Sequence, residues 1–266
     1  MRTNHVKAKL KAGEVSPGAW LSLGNISSAR LMSRIGFDWL TVDCEHSPQT
    51  PDLMAAMVAT IADGGISAPI VRVPTNTVEW FKWALDSGAW GVVVPMVNTR
   101  EEAERAVSWC KYPPVGTRSI GGVFAPYGFG TVNRAEYAAA ANAEILVVIQ
   151  IESPTALDNL DEILSVPGID VAFVGPNDMH ATLGLPPSTE GAEPEFVAAM
   201  EKLKEAAKRY NVPLGMYCSN GEAAVQRINE GFKMVVTTSD MSSMAAAAAQ
   251  NLAVVGSSNA TRPSTY

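Results

Sequence analysis

Apolar residues in this chain fall into short unbroken runs, separated by longer stretches in which they recur every three or four positions. The runs are AWLSLG (19–24), WLTVD (39–43), PIVRV (69–73), GVVVP (91–95), LVVIQIE (146–152), VAFVG (171–175), PLGMY (213–217) and MVVTT (234–238). An unbroken run, as opposed to an alternating one, is the pattern of a strand covered on both faces, as in a parallel sheet. The intervening stretches carry helix signals. TPDLMAAMVATIADGG (50–65) spaces its apolar residues on one face and ends in glycine. NTREEAERAVSWC (98–110) opens on a capping residue with acids in its first turn. SPTALDNLDEIL (153–164) offers Ser153 as N-cap and Pro154 at the first helical position. EPEFVAAMEKLKEAAKRYN (193–211) and SNGEAAVQRINEG (219–231) follow the same logic.

Eight strands, each followed by helix, predict a single (β/α)8 TIM barrel over residues 1–255, with a polar mobile tail at 256–266. A doubly wound sheet is the competing α/β arrangement, but no GxGxxG follows the first strand. Residues 111–133, beginning KYPPVGTRSIGG, hold Pro, Gly and aromatics with little periodicity. A long loop of this kind is expected to belong to an active site.

Composition narrows the function classes. At 266 residues with 47% apolar and 18% charged positions, the chain reads as globular. A net charge of −7 argues against a nucleic-acid partner, and means that an anionic substrate needs a local cation. The three cysteines, Cys44, Cys110 and Cys218, form no CxxC, which excludes a zinc ribbon or disulfide scaffold and points to a reducing compartment. No signal-peptide core and no run of transmembrane length is present, so the expectation is a cytoplasmic protein with no membrane partner.

Barrel enzymes carry their chemistry at the C-terminal ends of the strands. The second strand ends at Asp43, followed by Cys44, Glu45 and His46; the third carries Arg72; the fifth ends in Gln150 and Glu152; the sixth leads to Asp178 and His180. Glu152 and Asp178 are candidate metal ligands, hard carboxylates suited to a divalent ion such as Mg2+ or Mn2+; the alternative is a pair of helix N-terminal acids. Arg72, inside an apolar strand, requires an anion, either an internal carboxylate or a substrate oxyanion. An arginine beside a metal is suited to stabilising an enolate. His46 and Asp43 stand three apart, the spacing for a carboxylate that orients an imidazole, or else a loop carbonyl satisfies the ring. Glu45 is left open between ligand and backbone acceptor. Cys44, between two acids, is read as a packing residue. Arg118 is read as an anion or subunit contact or a solvated side chain, and His5 as a solvated surface residue.

The blocks GFDWLTVDCEHSP, PIVRVP, LDSGAWGVVVPMVNTREEAERAV, YPPVGTRSIGG, VVIQIESPTALDNLDEIL and GIDVAFVGPNDMHATLG together resemble the HpcH/HpaI aldolase family, from about residue 17 to about 240. These are metal-dependent pyruvate aldolases, such as those acting on 4-hydroxy-2-oxoheptanedioate and 2-keto-3-deoxy-L-rhamnonate. The resemblance implies a (β/α)8 barrel and a homohexamer built as a trimer of dimers. It also implies exchange of the last helix, from near Met241, between subunits. It implies Glu152 and Asp178 as ligands of Mg2+, or of Mn2+ or Co2+, and Arg72 on the pyruvyl oxygen. It gives His46 as acid/base with Asp43 and Asp86 in support, and Gln150 beside the pyruvate. Backbone at Gly175, Pro176 and Asn177 would receive its carboxylate, and Trp20 either lines the aldehyde side or packs. The implied reaction is cleavage of a 4-hydroxy-2-oxo acid to pyruvate and an aldehyde, and its reverse, through a pyruvate enolate. The partners are then small molecules, a 2-oxo acid and an aldehyde. No lysine stands at the strand ends, so a Schiff base is not expected. The alternative within the superfamily is an oxaloacetate decarboxylase or macrophomate synthase-like enzyme using the same enolate. A citryl- or malyl-CoA lyase would need a CoA-binding segment that is not seen. A barrel acting only as a scaffold is disfavoured by the intact Glu152, Asp178, Arg72 and His46. Departures from the family pattern at Cys44, Asn177, His180 and the GMYCSN turn leave the aldehyde undefined; Asn177 and His180 are expected to add polar groups near the metal.

Overall fold

The computed structural model describes residues 1–256. Eight parallel strands close into a barrel in chain order: β1 (Ser16–Leu21), β2 (Trp39–Asp43), β3 (Ala68–Arg72), β4 (Gly91–Val94), β5 (Leu146–Ile151), β6 (Val171–Val174), β7 (Leu214–Met216) and β8 (Met234–Ser239). β8 returns to pair with β1, which leaves no open sheet edge. The TIM barrel and all eight strands read from the apolar runs are present. β1 begins three residues earlier than the run suggested, because Ser16 pairs with Met234.

The helices are α1 (His5–Lys11), α2 (Ile26–Met32), α3 (Pro51–Gly64), α4 (Val78–Asp86), α5 (Arg100–Cys110), α6 (Ala125–Gly128) and α7 (Arg134–Glu144). They continue with α8 (Pro154–Asp158), α9 (Leu160–Leu164), α10 (Pro176–Thr182), α11 (Pro194–Tyr210), α12 (Gly221–Asn229) and α13 (Asp240–Val254). α3 stops where Gly65 takes φ 78°, a conformation open to glycine. The stretch read as one helix at 153–164 is two, α8 and α9, broken at Asn159 (φ −101°, ψ 13°). The Asn159 side chain donates instead to the Asn98 carbonyl at 2.8 Å. Among the described residues no helix is long and apolar enough to cross a membrane.

Inside the barrel the filling is aromatic. Trp39 is fully buried and Gly18 leaves room for its ring, since a Cβ at Gly18 would overlap the indole. Trp20 packs edge-on against Trp39 (6.4 Å between ring centres) and also meets Phe173 (5.9 Å). Each such fully buried large side chain stabilises the fold by about 2–3 kcal/mol. This layer is the floor on which the strand ends stand.

Two expectations about position are corrected. Residues 111–133 do not join the site at the C-terminal ends of the strands. α5 runs back to the N-terminal end of the barrel, and the loop and α6 pack there, with Trp90 Nε1 donating to the Gly128 carbonyl (2.8 Å) and Gly128 pressed on Gly88. His5 is half-buried, not a freely solvated surface residue. Its Nε2 lies 2.8 Å from the Asp38 carbonyl and its ring packs edge-on against Trp90. The expected tail falls outside the described residues, apart from Gly256.

Candidate active site

The C-terminal ends of the strands surround a cavity of about 440 Å3. Trp20 and Ser22 enter from β1, Asp43 and His46 from β2, Arg72 from β3, Gln150 from β5, and Phe173 with Gly175–Asp178 from β6 and the start of α10. Thr189, Tyr217 and Met241 complete the wall. Ten expected site residues therefore converge: nine on this wall, and Glu152 immediately behind it, bonded to Gln150.

Arg72 is the organising cation. It is paired in register with Asp43 across β2 and β3, so both side chains leave the barrel wall on the same side. Its Nε meets Asp43 Oδ1 at 2.9 Å and its Nη2 meets Oδ2 at 2.7 Å. Its Nη1 lies 2.9 Å from Glu45 Oε2. A guanidinium has five N–H donors. Two of them are hydrogen-bonded to Asp43, Nη1 faces Glu45 as an ion pair, and the second N–H of Nη2 is left for a ligand. The Trp20 ring stacks on the guanidinium at 5.0 Å, so Trp20 both packs and lines the cavity. Burial pushes the Asp43 carboxyl up, but the hydrogen bonds and charge of Arg72 outweigh it, and the group sits below the usual aspartate range.

The expected Asp43–His46 pairing is not formed. Asp43 accepts from the backbone N–H of Glu45 (3.0 Å) and of His46 (3.3 Å), and both its oxygens are taken by Arg72. The His46 ring is 62% exposed, with Nε2 3.8 Å from Glu45 Oε2. Asp43 thus shapes the turn that presents His46, and Glu45 is the carboxylate nearest the ring. Burial raises the Glu45 carboxyl above its ordinary value, against the pull of Arg72 and His46. Asp86 also corrects the expectation. It closes α4 at the opposite end of the barrel, where it accepts from Arg118 (3.2 Å), so within one chain it does not support His46. Arg118 is itself buried and stacked on Tyr112 at 4.5 Å, and so is not solvated.

Glu152 is nearly fully buried. Its Oε1 accepts from the Met96 backbone (2.9 Å) and its Oε2 from Gln150 Nε2 (2.8 Å). Met96 takes φ 51°, which a methionine rarely adopts, in the turn that delivers this N–H. Burial first, then the charges of Asp178 and Glu45, push the Glu152 carboxyl up to about 7. A buried carboxylate facing two others is short of positive charge, which is what a bound cation supplies. Gly175 has no side chain where one would collide with Glu152 Oε2. Gln150 Oε1 is buried without a partner beside it, an acceptor left for a ligand. Among the described residues no group of three His, Cys, Asp or Glu side chains converges on one point. Two carboxylates, Glu152 and Asp178, could hold a hard ion that keeps water or substrate oxygens, as Mg2+ does.

Cys44 behaves as read. It is buried, and burial followed by the Asp43 charge pushes its thiol up to about 12. His180 does not add a polar group to the cavity. It is fully buried, bonds the Pro176 carbonyl through Nδ1 (2.7 Å) and stacks on Phe196, so it braces α10 from behind. Ser22, Phe173, Thr189, Tyr217 and Met241 were not singled out from the sequence as site residues. Ser22 and Tyr217 fall within their apolar runs at the strand ends and could have been found by the rule that found Asp43; Thr189 lies in a loop with no such signal.

Comparison with known proteins shows the family and the fold. A family model described as HpcH/HpaI aldolase/citrate lyase matches residues 17–247. The chain is 34% identical, over 96% of its length and 98% of the relative, to a hydroxypyruvate/pyruvate aldolase of Paraburkholderia phytofirmans. It is 37% identical to a 5-keto-4-deoxy-D-glucarate aldolase of Shigella boydii, over 90% of this chain and 91% of the relative. A crystal structure of an HpcH/HpaI aldolase/citrate lyase family protein from Burkholderia cenocepacia superposes with a TM-score of 0.88 at 33% identity, over 96% of this chain and 100% of that one.

Proposed function

The chain belongs to the HpcH/HpaI aldolase/citrate lyase family, and from that premise we propose that it is a carbon–carbon lyase that cleaves a 4-hydroxy-2-oxo acid to pyruvate and an aldehyde, and catalyses the reverse addition. The observation that carries this reading is the Arg72 guanidinium, oriented by Asp43 and with N–H groups not hydrogen-bonded within the chain, next to the buried Glu152 carboxylate.

Glu152 and Asp178 would hold a divalent ion, Mg2+, Mn2+ or Co2+. When bound, it supplies Lewis-acid stabilisation of the negative charge that develops on the 2-oxo oxygen. Arg72 donates its remaining N–H groups to that same oxygen, and Asp43 and Glu45 hold the guanidinium in plane so that it does not reorganise during the reaction. Gly175, Pro176 and Asn177 line the end of the cavity where the carboxylate of the 2-oxo acid sits. His46, on the open lip, takes the proton of the 4-hydroxyl. The C3–C4 bond then breaks, its electron pair passes into the enolate, the aldehyde leaves, and protonation at C3 gives pyruvate. No lysine lines the cavity to serve as a Schiff-base electron sink. Decarboxylation of oxaloacetate needs the same enolate and no aldehyde, and is expected as a side activity.

Among the described residues α13 buries only Asp240 and exposes Met244, Leu252 and Val254. That supports a homo-oligomer, a hexamer with this helix exchanged, whose mass light scattering reads directly. Three free cysteines are compatible with the cytoplasm.

The deciding experiment mixes the protein with Mg2+ or Mn2+, pyruvate and a panel of aldehydes, and looks for 4-hydroxy-2-oxo acids by mass spectrometry. Formation that stops with a chelator and returns with added metal supports the proposal. Turnover that ignores the chelator removes the metal from it, and no product with any aldehyde removes the aldolase.

A further inference from the structure

A second cavity, larger than the one just described, lies elsewhere in the molecule. It measures about 710 Å3 and opens at the opposite, N-terminal end of the barrel, between α1, the end of α11 and the starts of β5, β7 and β8. Nothing in the proposed reaction uses it. One wall is apolar, with Leu10, Ile169, Val212 and Leu214. The rest carries five lysines, Lys7, Lys11, Lys204, Lys208 and Lys233, against two acids, Asp170 and Glu230.

This is the reverse of the balance in the whole chain, whose net charge is −7. Helix C-termini attract lysines, and the ends of α1 and α11 both lie here. Two such ends bring about one unit of negative charge between them. That does not neutralise the surplus, and Lys233 belongs to neither helix. Lys204 is paired with Glu201 and Glu230. Lys11, Lys208 and Lys233 have no carboxylate within ion-pair distance among the described residues.

Behind the wall the imbalance continues. Lys7 is buried, with Nζ 2.9 Å from Asp170 Oδ2 and 2.9 Å from the Ile145 carbonyl. Lys111 is also buried and donates to the same Ile145 carbonyl at 2.9 Å. Two ammonium groups thus converge with only Asp170 to balance them. Burial, and next the charge of Lys7, bring Lys111 down to about 8.

We propose that this cavity is a binding site for a small phosphate-bearing molecule, with its phosphates against Lys11, Lys208 and Lys233 and its body on the apolar wall. Lysines presented as separate point charges suit phosphate, and the volume suits a ligand of nucleotide or sugar-phosphate size. The molecule would bind far from the catalytic cavity, on the strand β5 whose other end leads to Glu152.

The test is calorimetric titration of the full-length protein with inorganic pyrophosphate and with adenosine diphosphate, magnesium being in excess over either probe and ionic strength matched with sodium chloride. Saturable binding of either probe is expected. It should weaken about tenfold for each lysine removed in Lys11→Ala, Lys208→Ala and Lys233→Ala, and not in Lys202→Ala, which lies outside the cavity. A second readout needs no variant: each probe should protect Lys11, Lys208 and Lys233 of the unaltered protein from acetylation, measured by peptide mass spectrometry. No saturable binding of either probe overturns the proposal. So does binding that survives the three substitutions or leaves the three lysines unprotected.

Discussion

Arg72 and Asp43 occupy paired positions on adjacent strands and meet through two parallel hydrogen bonds, of 2.9 and 2.7 Å, while Glu45 takes a third contact on the remaining nitrogen. The fork geometry fixes the plane of the guanidinium as well as its charge. Lysine would keep the charge and lose the plane. Arg72→Lys is expected to fold and to lose about 10^2 to 10^3 in kcat/KM, measured by steady-state kinetics of retro-aldol cleavage. Arg72→Met leaves the buried Asp43 carboxylate without its counter-charge, and urea unfolding should show a loss of about 3–5 kcal/mol. An Arg72→Lys enzyme with unaltered kcat/KM would remove Arg72 from the reaction.

Glu152 predicts a pH dependence. In the metal-free protein its carboxyl titrates at about 7 rather than 4.5, because it is buried next to Asp178 and Glu45. Between those values the folded chain keeps a proton that the unfolded chain releases. The stability gained from protonated Glu152 is full below pH 4.5 and lost as pH rises through 7. The loss amounts to about 3 kcal/mol. Chelated protein should therefore unfold more easily at pH 7.5 than at pH 5, and Glu152→Gln should flatten that slope. A slope of equal size in Glu152→Gln would place the titrating group elsewhere.

Gly175 is expected to be intolerant of any side chain. A Cβ there would collide with Glu152 Oε2 and come within 2.8 Å of Gln150 Nε2. Glu152 would have to turn away, and Gly175→Ala should weaken divalent-ion affinity at least tenfold, read by titration of the ion against unfolding temperature.

Cys44, by contrast, sits between the most reactive-looking residues and is expected to do no chemistry. A thiol held near 12 carries almost no thiolate at pH 8. Iodoacetamide at that pH should leave activity intact, and Cys44→Ala should keep kcat/KM within about threefold, a change of under 1 kcal/mol. Rapid inactivation with alkylation mapped to Cys44 would contradict this.

The order and type of the eight strands were determined by the sequence itself. Each apolar run is long enough to be a strand and too uniform to face water, and a parallel barrel is the arrangement that buries all of them. The same reasoning located Asp43, Arg72, Gln150, Glu152 and Asp178, since a residue at the end of a run must emerge at one end of the barrel. Which partner each side chain takes was decided only in three dimensions. Asp43 and His46 are neighbours in sequence, yet the register of β2 with β3 brings Arg72 closer and claims the carboxylate for it. Asp86 and the 111–133 loop carry no mark in sequence of lying at the far end of the barrel. They lie there because α4 and α5 each run back along the outside before the next strand begins. Spacing along the chain fixes where a side chain emerges, whereas its hydrogen-bond partner depends on strand register and helix direction, which join residues distant in sequence.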